Sequence, residues 1–175
     1  MSPFSHLDEQ GRVRMVDVSA KTTTVREAVA RGRVRMAPAT LRELKANGGP
    51  KGNALTAAHL AAVMAAKRTS EWIPLAHPLQ VESVEVAFGF VTKPAAVTIE
   101  CRVRTTGRTG VEMEALTAVA AAALTLVDML KALDRTLVIG DIALWEKRGG
   151  RTGEWTREAA AAKRKAPART RRRAL

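Results

Sequence analysis

The spacing of hydrophobic and polar positions changes several times along the chain, and each change marks an element. From Ala28 to Met36 the even positions are Ala28, Ala30, Gly32, Val34 and Met36, while Arg31, Arg33 and Arg35 take odd ones. That two-residue period predicts a half-buried strand. Residues 37–46 read as a short helix, with Pro38 near its start and Gly48, Gly49 and Pro50 ending it. From Asn53 to Arg68, the side chains of Leu55, Leu60, Ala61, Val63 and Met64 fall on one side of an amphipathic helix. Pro74 and Pro78 then impose a stiff, extended connection. Val84, Val86, Phe88 and Phe90 alternate with other residues up to a turn at Thr92, Lys93 and Pro94. Val97, Ile99, Cys101 and Val103 alternate after it, so the two runs predict a β-hairpin. Residues 111–133 are apolar almost all round, which predicts a helix buried on more than one side, by a sheet and by another subunit. Residues 142–147 form a last strand before Gly149 and Gly150.

The order strand, helices, strand, strand, helix, strand predicts an α+β fold. Its arrangement is the ferredoxin-like split βαβ, an antiparallel sheet with helices packed on one face. The central hairpin argues against a doubly wound parallel sheet, whose strands need crossovers. With 175 residues and 46% hydrophobic content the chain holds one core. We divide it into an arm (1–22), a domain (23–156) and a tail (157–175).

The net charge of +12 alone points to nucleic acid, a membrane surface or an anionic substrate. The tail carries eight Lys or Arg against Glu158, a surplus of seven, so it dominates that figure. Its composition of Ala, Arg, Lys, Pro and Thr predicts disorder, with weak polyanion contact as its simplest role. Tyrosine is absent and aromatic residues are 3% of the chain, which disfavours base-stacking modules. A single cysteine, Cys101, permits no intrachain disulfide and fits a reducing cytoplasm. The start of the chain has no signal-peptide pattern, and the longest apolar run, residues 115–127, is too short to cross a bilayer.

Candidate chemistry gathers around the apolar helix. Thr109 and Glu112 have the spacing of a capping box, and Glu114 in the same first turn complements the helix dipole, so both acids have a purely structural reading. Asp128 and Lys131, three apart, share a helical face. The ten residues before them carry no charge, so the pair is expected in apolar surroundings that shift proton affinities, as acid/base chemistry requires. His77 lies between two prolines with no acidic ligand at metal spacing. Lys51 sits in a Gly-rich loop, and Gly-Arg-Thr-Gly occurs at 107–110 and 150–153. Such turns offer cations and backbone N–H groups to phosphate, and none has Walker spacing. Lys51, Arg108, Lys131 and Arg151 together point to a polyanionic small molecule.

Four stretches carry a family resemblance: MVDVSAK at 15–21, MAAKRTSEWIPLAHPL at 64–79, TTGRTGVEMEALTAVAAAALTLVDMLKAL at 105–133 and EKRGGRTGEW at 146–155. They resemble the MoaC family, the cyclic pyranopterin monophosphate synthases of molybdenum cofactor biosynthesis. The resemblance covers residues 5–155 and implies conversion of 3′,8-cyclo-7,8-dihydro-GTP to cyclic pyranopterin monophosphate with loss of pyrophosphate. It implies catalytic roles for Asp128, Lys131 and Lys51. It sets Leu75, Ala76 and His77 along the substrate, with Glu112, Met113 and Glu114 opposite, and makes Arg108 and Thr109 phosphate or base contacts. It implies a cytoplasmic homohexamer, a trimer of dimers with ferredoxin-like subunits and sites at subunit interfaces. No metal site or cofactor is required by the sequence, Mg²⁺ with the triphosphate being left open. The chain departs from the family at Ala76, usually Cys, and at Val127 and Leu130, commonly Tyr and Cys.

Two rival readings remain at this stage: a polyanion-binding module working through its tail, and an inactive homologue kept as a structural partner. Deleting residues 157–175 separates the first from an enzyme. Turnover is expected to survive the deletion, whereas a tail-driven binder would lose affinity and its steep salt dependence.

Overall fold

The computed structural model describes residues 10–150 and 153–165. Its elements are β1 (Thr24–Arg35), α1 (Pro38–Asn47), α2 (Ala54–Lys67), α3 (Thr69–Trp72), β2 (Ser83–Thr92), β3 (Ala95–Gly107), α4 (Glu112–Leu130), β4 (Val138–Arg148), β5 (Trp155–Thr156) and α5 (Arg157–Lys165). The strands form one sheet in the order β2-β3-β1-β4-β5, every neighbouring pair antiparallel. β3 therefore lies between β1 and β2, and β1 between β3 and β4, as a split βαβ arrangement requires. The fold is α+β, as the alternation predicts.

Register explains which face is covered. Ala30 lies opposite Cys101 and Val34 opposite Val97, so the even positions of β1 meet the odd positions of β3 on one side of the sheet. Ala28, Ala30, Val34, Val97, Ile99, Cys101 and Val103 are all buried there. α4 lies on this face, against β1, β3 and β4, and α2 packs alongside it. Ala115, Ala118, Val119, Ala122 and Leu126 carry α4 into the core. The helix has 19 residues, and its length and composition match a membrane span, where the shorter apolar run alone does not. Its packing against the sheet makes it the core helix of this domain.

α2 corrects the sequence reading. Its buried residues are Ala54, Ala58, Ala62, Ala65 and Ala66, while Leu60 and Met64 are more than half exposed. Small side chains let α2 approach α4, itself rich in alanine, closely, and that contact outweighs burial of the larger stripe. Other differences are of extent. β1 and β4 run further than the alternation marks, because a strand continues wherever its backbone finds partners, and α4 stops at Leu130. Residues 157–165 form α5, where composition predicts no order, and Arg157 Nε donates to the Leu144 carbonyl of β4 at 2.8 Å. The remainder of the tail, 166–175, lies outside the described residues.

Asp134, just after α4, joins two ends of the core. Its carboxylate accepts from Ala37 N at 2.7 Å and Thr40 Oγ1 at 3.1 Å, supplying the side-chain cap that α1 lacks of its own. Thr136 N and Oγ1 donate to the other oxygen at 2.8 and 2.6 Å. The Ala37 amide, ahead of Thr136 and Thr40, holds this carboxyl at about 2, below its ordinary 3.8. A depressed pKa contributes stability that is present above the unfolded value and lost as pH falls toward the folded one. Asp134→Ala is therefore expected to lose about 1–3 kcal/mol at neutral pH. Denaturant titrations from pH 5 to 2 should show the wild type losing stability that the variant has already lost.

Candidate functional site

The loop between α1 and α2 brings a lysine to the far end of α4. Gly48 ends α1 in the left-handed region, its N–H donating to Leu44 O at 3.0 Å. Gly49 follows with φ 113°, and a Cβ there would meet Leu130 Cδ2 at 3.0 Å, so a glycine lets the loop lie on the end of α4. Asn53 then caps α2, accepting from Thr56 N at 3.0 Å. Lys51, held in this loop, lies with its Nζ 3.0 Å from Asp128 Oδ2, and Lys131 Nζ lies 2.7 Å from Asp128 Oδ1. One carboxylate thus bridges two ammonium groups, and the cluster keeps a net positive charge. Hydrogen bonds from Lys131 and then Lys51 hold the Asp128 carboxyl below its ordinary range.

The apolar surroundings expected for Asp128 and Lys131 are corrected. Their side chains are 56% and 59% exposed. Leu124, Asp128 and Lys131 are spaced four and three apart, so they fall on one stripe along α4 and its C-cap, and all three are exposed. What the spacing did not contain is Lys51, whose contact depends on the glycine loop.

The start of α4 holds a second constellation. A cleft of about 410 Å³ is lined by Leu75, Ala76 and His77 on one side and Thr109, Glu112, Met113 and Glu114 on the other. Of the binding residues expected here only Arg108 does not line it. That side chain is exposed, on the loop beside Thr109. The capping box is absent: Val111 is the N-cap of α4 and no side chain caps the helix. Glu112 instead accepts from Lys147 Nζ at 2.9 Å, across to β4. A Cβ on Gly110 would meet the Glu112 carboxylate, so any larger residue there would shift that side chain away from Lys147. Glu114 is 4% exposed, and burial, reinforced by the charge of Glu112, pushes its pKa up to about 7. His77 Nε2 lies 2.9 Å from the Val16 carbonyl.

Sequence reasoning missed four residues here. Val16, Val18 and Lys21 of the arm line the cleft, and Lys147 partners Glu112. The alternation in MVDVSAK was the available signal for the arm, whereas Lys147 is 35 positions from Glu112 and is brought to it by sheet register. Arg151 lies outside the described residues. Among the described residues no group of three or more His, Cys, Asp or Glu is arranged to hold a metal ion. A larger cleft of about 540 Å³ lies on the open face of the sheet. Its charges neutralise one another in the pairs Arg31–Glu100 at 2.6 Å and Arg33–Asp141 at 2.5 Å, so we set it aside as the site.

α4 thus carries a cleft with a buried acid of raised proton affinity at one end and a cationic Lys-Asp-Lys cluster at the other, the kinds of perturbed and charged groups that enzyme sites gather. Residues 15–150 match the MoaC family. The chain is 55% identical over 158 residues to "Cyclic pyranopterin monophosphate synthase" of Roseiflexus sp. (strain RS-1), covering 90% of this chain and 100% of that protein. It is 57% identical over 160 residues to the protein of the same name from Chloroflexus aggregans, covering 90% and 96%. A third, from Heliobacterium modesticaldum, is 54% identical over 158 residues, covering 90% and 99%. The chain belongs to the MoaC family.

Glu114 generates a pH signature. Its folded pKa is raised, so the folded state is favoured below the ordinary carboxyl value of 4.5, and that advantage is lost as pH rises through about 7. Thermal unfolding of the wild type should show a decline in stability over this window. Glu114→Gln, which stays neutral, is expected to flatten it, and an unchanged slope would assign the decline to other groups.

Proposed function

We propose that this chain performs the reaction for which its relatives are named, forming cyclic pyranopterin monophosphate in molybdenum cofactor biosynthesis. The substrate is 3′,8-cyclo-7,8-dihydro-GTP and the second product is pyrophosphate. The observation that carries the reading is the convergence of Lys51, Asp128 and Lys131, from a loop and a helix 77 positions apart, on one carboxylate. Asp128 orients the two lysines, and their ammonium groups stabilise negative charge and move protons while the purine-derived ring opens and the pterin ring closes. Leu75, Ala76 and His77 face Glu112, Met113 and Glu114 across the substrate, with Thr109 and Arg108 as phosphate or base contacts. Ala76, in place of the family's usual Cys, contributes backbone alone.

The two constellations stand too far apart for one subunit. From Glu112 to Asp128 the helix rises roughly 24 Å at ~1.5 Å per residue, longer than a small ligand spans in a folded pose. A second copy solves this. Between the two ends a groove of about 330 Å³ lies beside α4, lined by the exposed Met64, Trp72 and Leu124 and by Arg68 and Glu71 at its rim, and Leu60 is exposed on α2. Two copies related by a two-fold axis near the middle of α4 bring the Glu112 end of one beside Asp128 of the other, an isologous contact. Assembly continues to a homohexamer, a trimer of dimers, in the cytoplasm, where buried Cys101 persists as a thiol pushed up to about 12 by desolvation.

Purified protein given the cyclised substrate should release the cyclic phosphate and pyrophosphate in equal amounts. Asp128→Asn or Lys131→Ala is expected to lower kcat by about a hundredfold or more, and wild-type turnover in both would remove the assignment. Asp128→Asn and Glu114→Ala proteins, each impaired alone, should regain turnover when unfolded together and co-assembled. No recovery would place the whole site within one subunit.

A further inference from the structure

The arm before β1 contributes groups that the reaction as described does not use. Among residues 10–23 only Val16 and Val18 are withdrawn from solvent, and both line the cleft shared by His77 and Glu114. Asp17 between them is exposed and accepts from Ser19 N at 2.8 Å. Lys21 N donates to Val18 O at 3.0 Å, closing a turn that returns the chain, so Lys21 also lines the cleft. The arm is joined to the cleft wall by His77, whose Nε2–H donates to the Val16 carbonyl at 2.9 Å across 61 positions of sequence. That ring nitrogen is committed to backbone, a donor role open to both the neutral ring and the imidazolium.

The charges around the cleft leave Lys21 distinctive. Lys147 occupies the Glu112 carboxylate at 2.9 Å. Glu114 is buried, with a proton affinity raised toward neutrality. Lys21 has no carboxylate within 4.0 Å among the described residues and lines the cleft as its unpaired ammonium. Arg108, the cation expected from sequence, does not line it. An unpaired ammonium beside one carboxylate already paired and one whose proton affinity burial raises is suited to receive an anion.

We propose that Lys21 is the phosphate-binding residue of this cleft and that His77 is a positioning residue, holding Lys21 in place through the Val16 carbonyl. The inference rests on the substrate reading above and deepens it. The part of the substrate at Lys21 is a phosphate group, of the triphosphate before reaction and of pyrophosphate after it. His77 acts on the arm and not on the reacting atoms.

Three variants and three readouts test this. Inorganic pyrophosphate binding, measured by calorimetry on the whole protein, needs no turnover and so remains informative if the substrate reading fails. Lys21→Gln is expected to weaken pyrophosphate binding about tenfold and to raise KM by a similar factor, with a smaller change in kcat. Lys21→Arg should recover most of both. His77→Ala is expected to accelerate amide hydrogen exchange at Ser19 and Lys21 about tenfold, together with a rise in KM. Undiminished pyrophosphate binding in Lys21→Gln would overturn the phosphate contact. A fall in kcat for His77→Ala with arm exchange unchanged would overturn the positioning role and put His77 on the reacting atoms.

Discussion

Close packing of α4 between the sheet and α2 is the constraint on which the rest of the structure depends. Alanines at the contacts set the spacing, and the sheet residues beneath, Val97, Ile99 and Val103 among them, fill the space that remains. Once α4 lies there, its first turn stands beside the Pro74–Pro78 segment and its last turn beside the glycine loop of Lys51. Asp134 then ties the chain leaving α4 to the start of α1, so the loop that follows α1 is presented from a fixed base. Both chemical constellations are consequences of where this one helix can go.

Much of the fold was legible in the sequence because its strands have a clear two-residue period. Even-numbered positions of β1 predicted the buried face, and the hairpin at Lys93 and Pro94 fixed β2 against β3. α2 was misread for a physical reason: amphipathicity identifies a large apolar stripe, while close helix packing selects a small one. The supposed capping box failed similarly. Thr109 and Glu112 have the right spacing, but Lys147 offers Glu112 a charged partner that a backbone amide does not match. The candidate residues were legible as two groups at the two ends of α4, and the partners that complete each group were not. Spacing gave Asp128 with Lys131 and gathered Thr109 to Glu114, whereas the meeting of Lys51 with Asp128 required a loop conformation and that of Lys147 with Glu112 required sheet register.

The two ends of α4 treat charge differently. At Glu114 burial favours the neutral acid, and the nearby carboxylate of Glu112 increases that preference. At Asp128, in the open, two ammonium groups hold the carboxylate ionised and retain a surplus positive charge. One end therefore offers a proton near neutral pH, and the other attracts and steadies negative charge.

The outward side chains of α2 have one more consequence. A helix that buries alanine and exposes Leu60 and Met64, with Trp72 and Leu124 also exposed, turns its larger apolar side chains outward. In the assembly proposed above, part of the free energy that keeps the chain folded is held in common between copies, which makes its resistance to unfolding a function of protein concentration. Dilution would loosen the assembly and the subunit together, and a cell making too few copies would lose structure as well as activity.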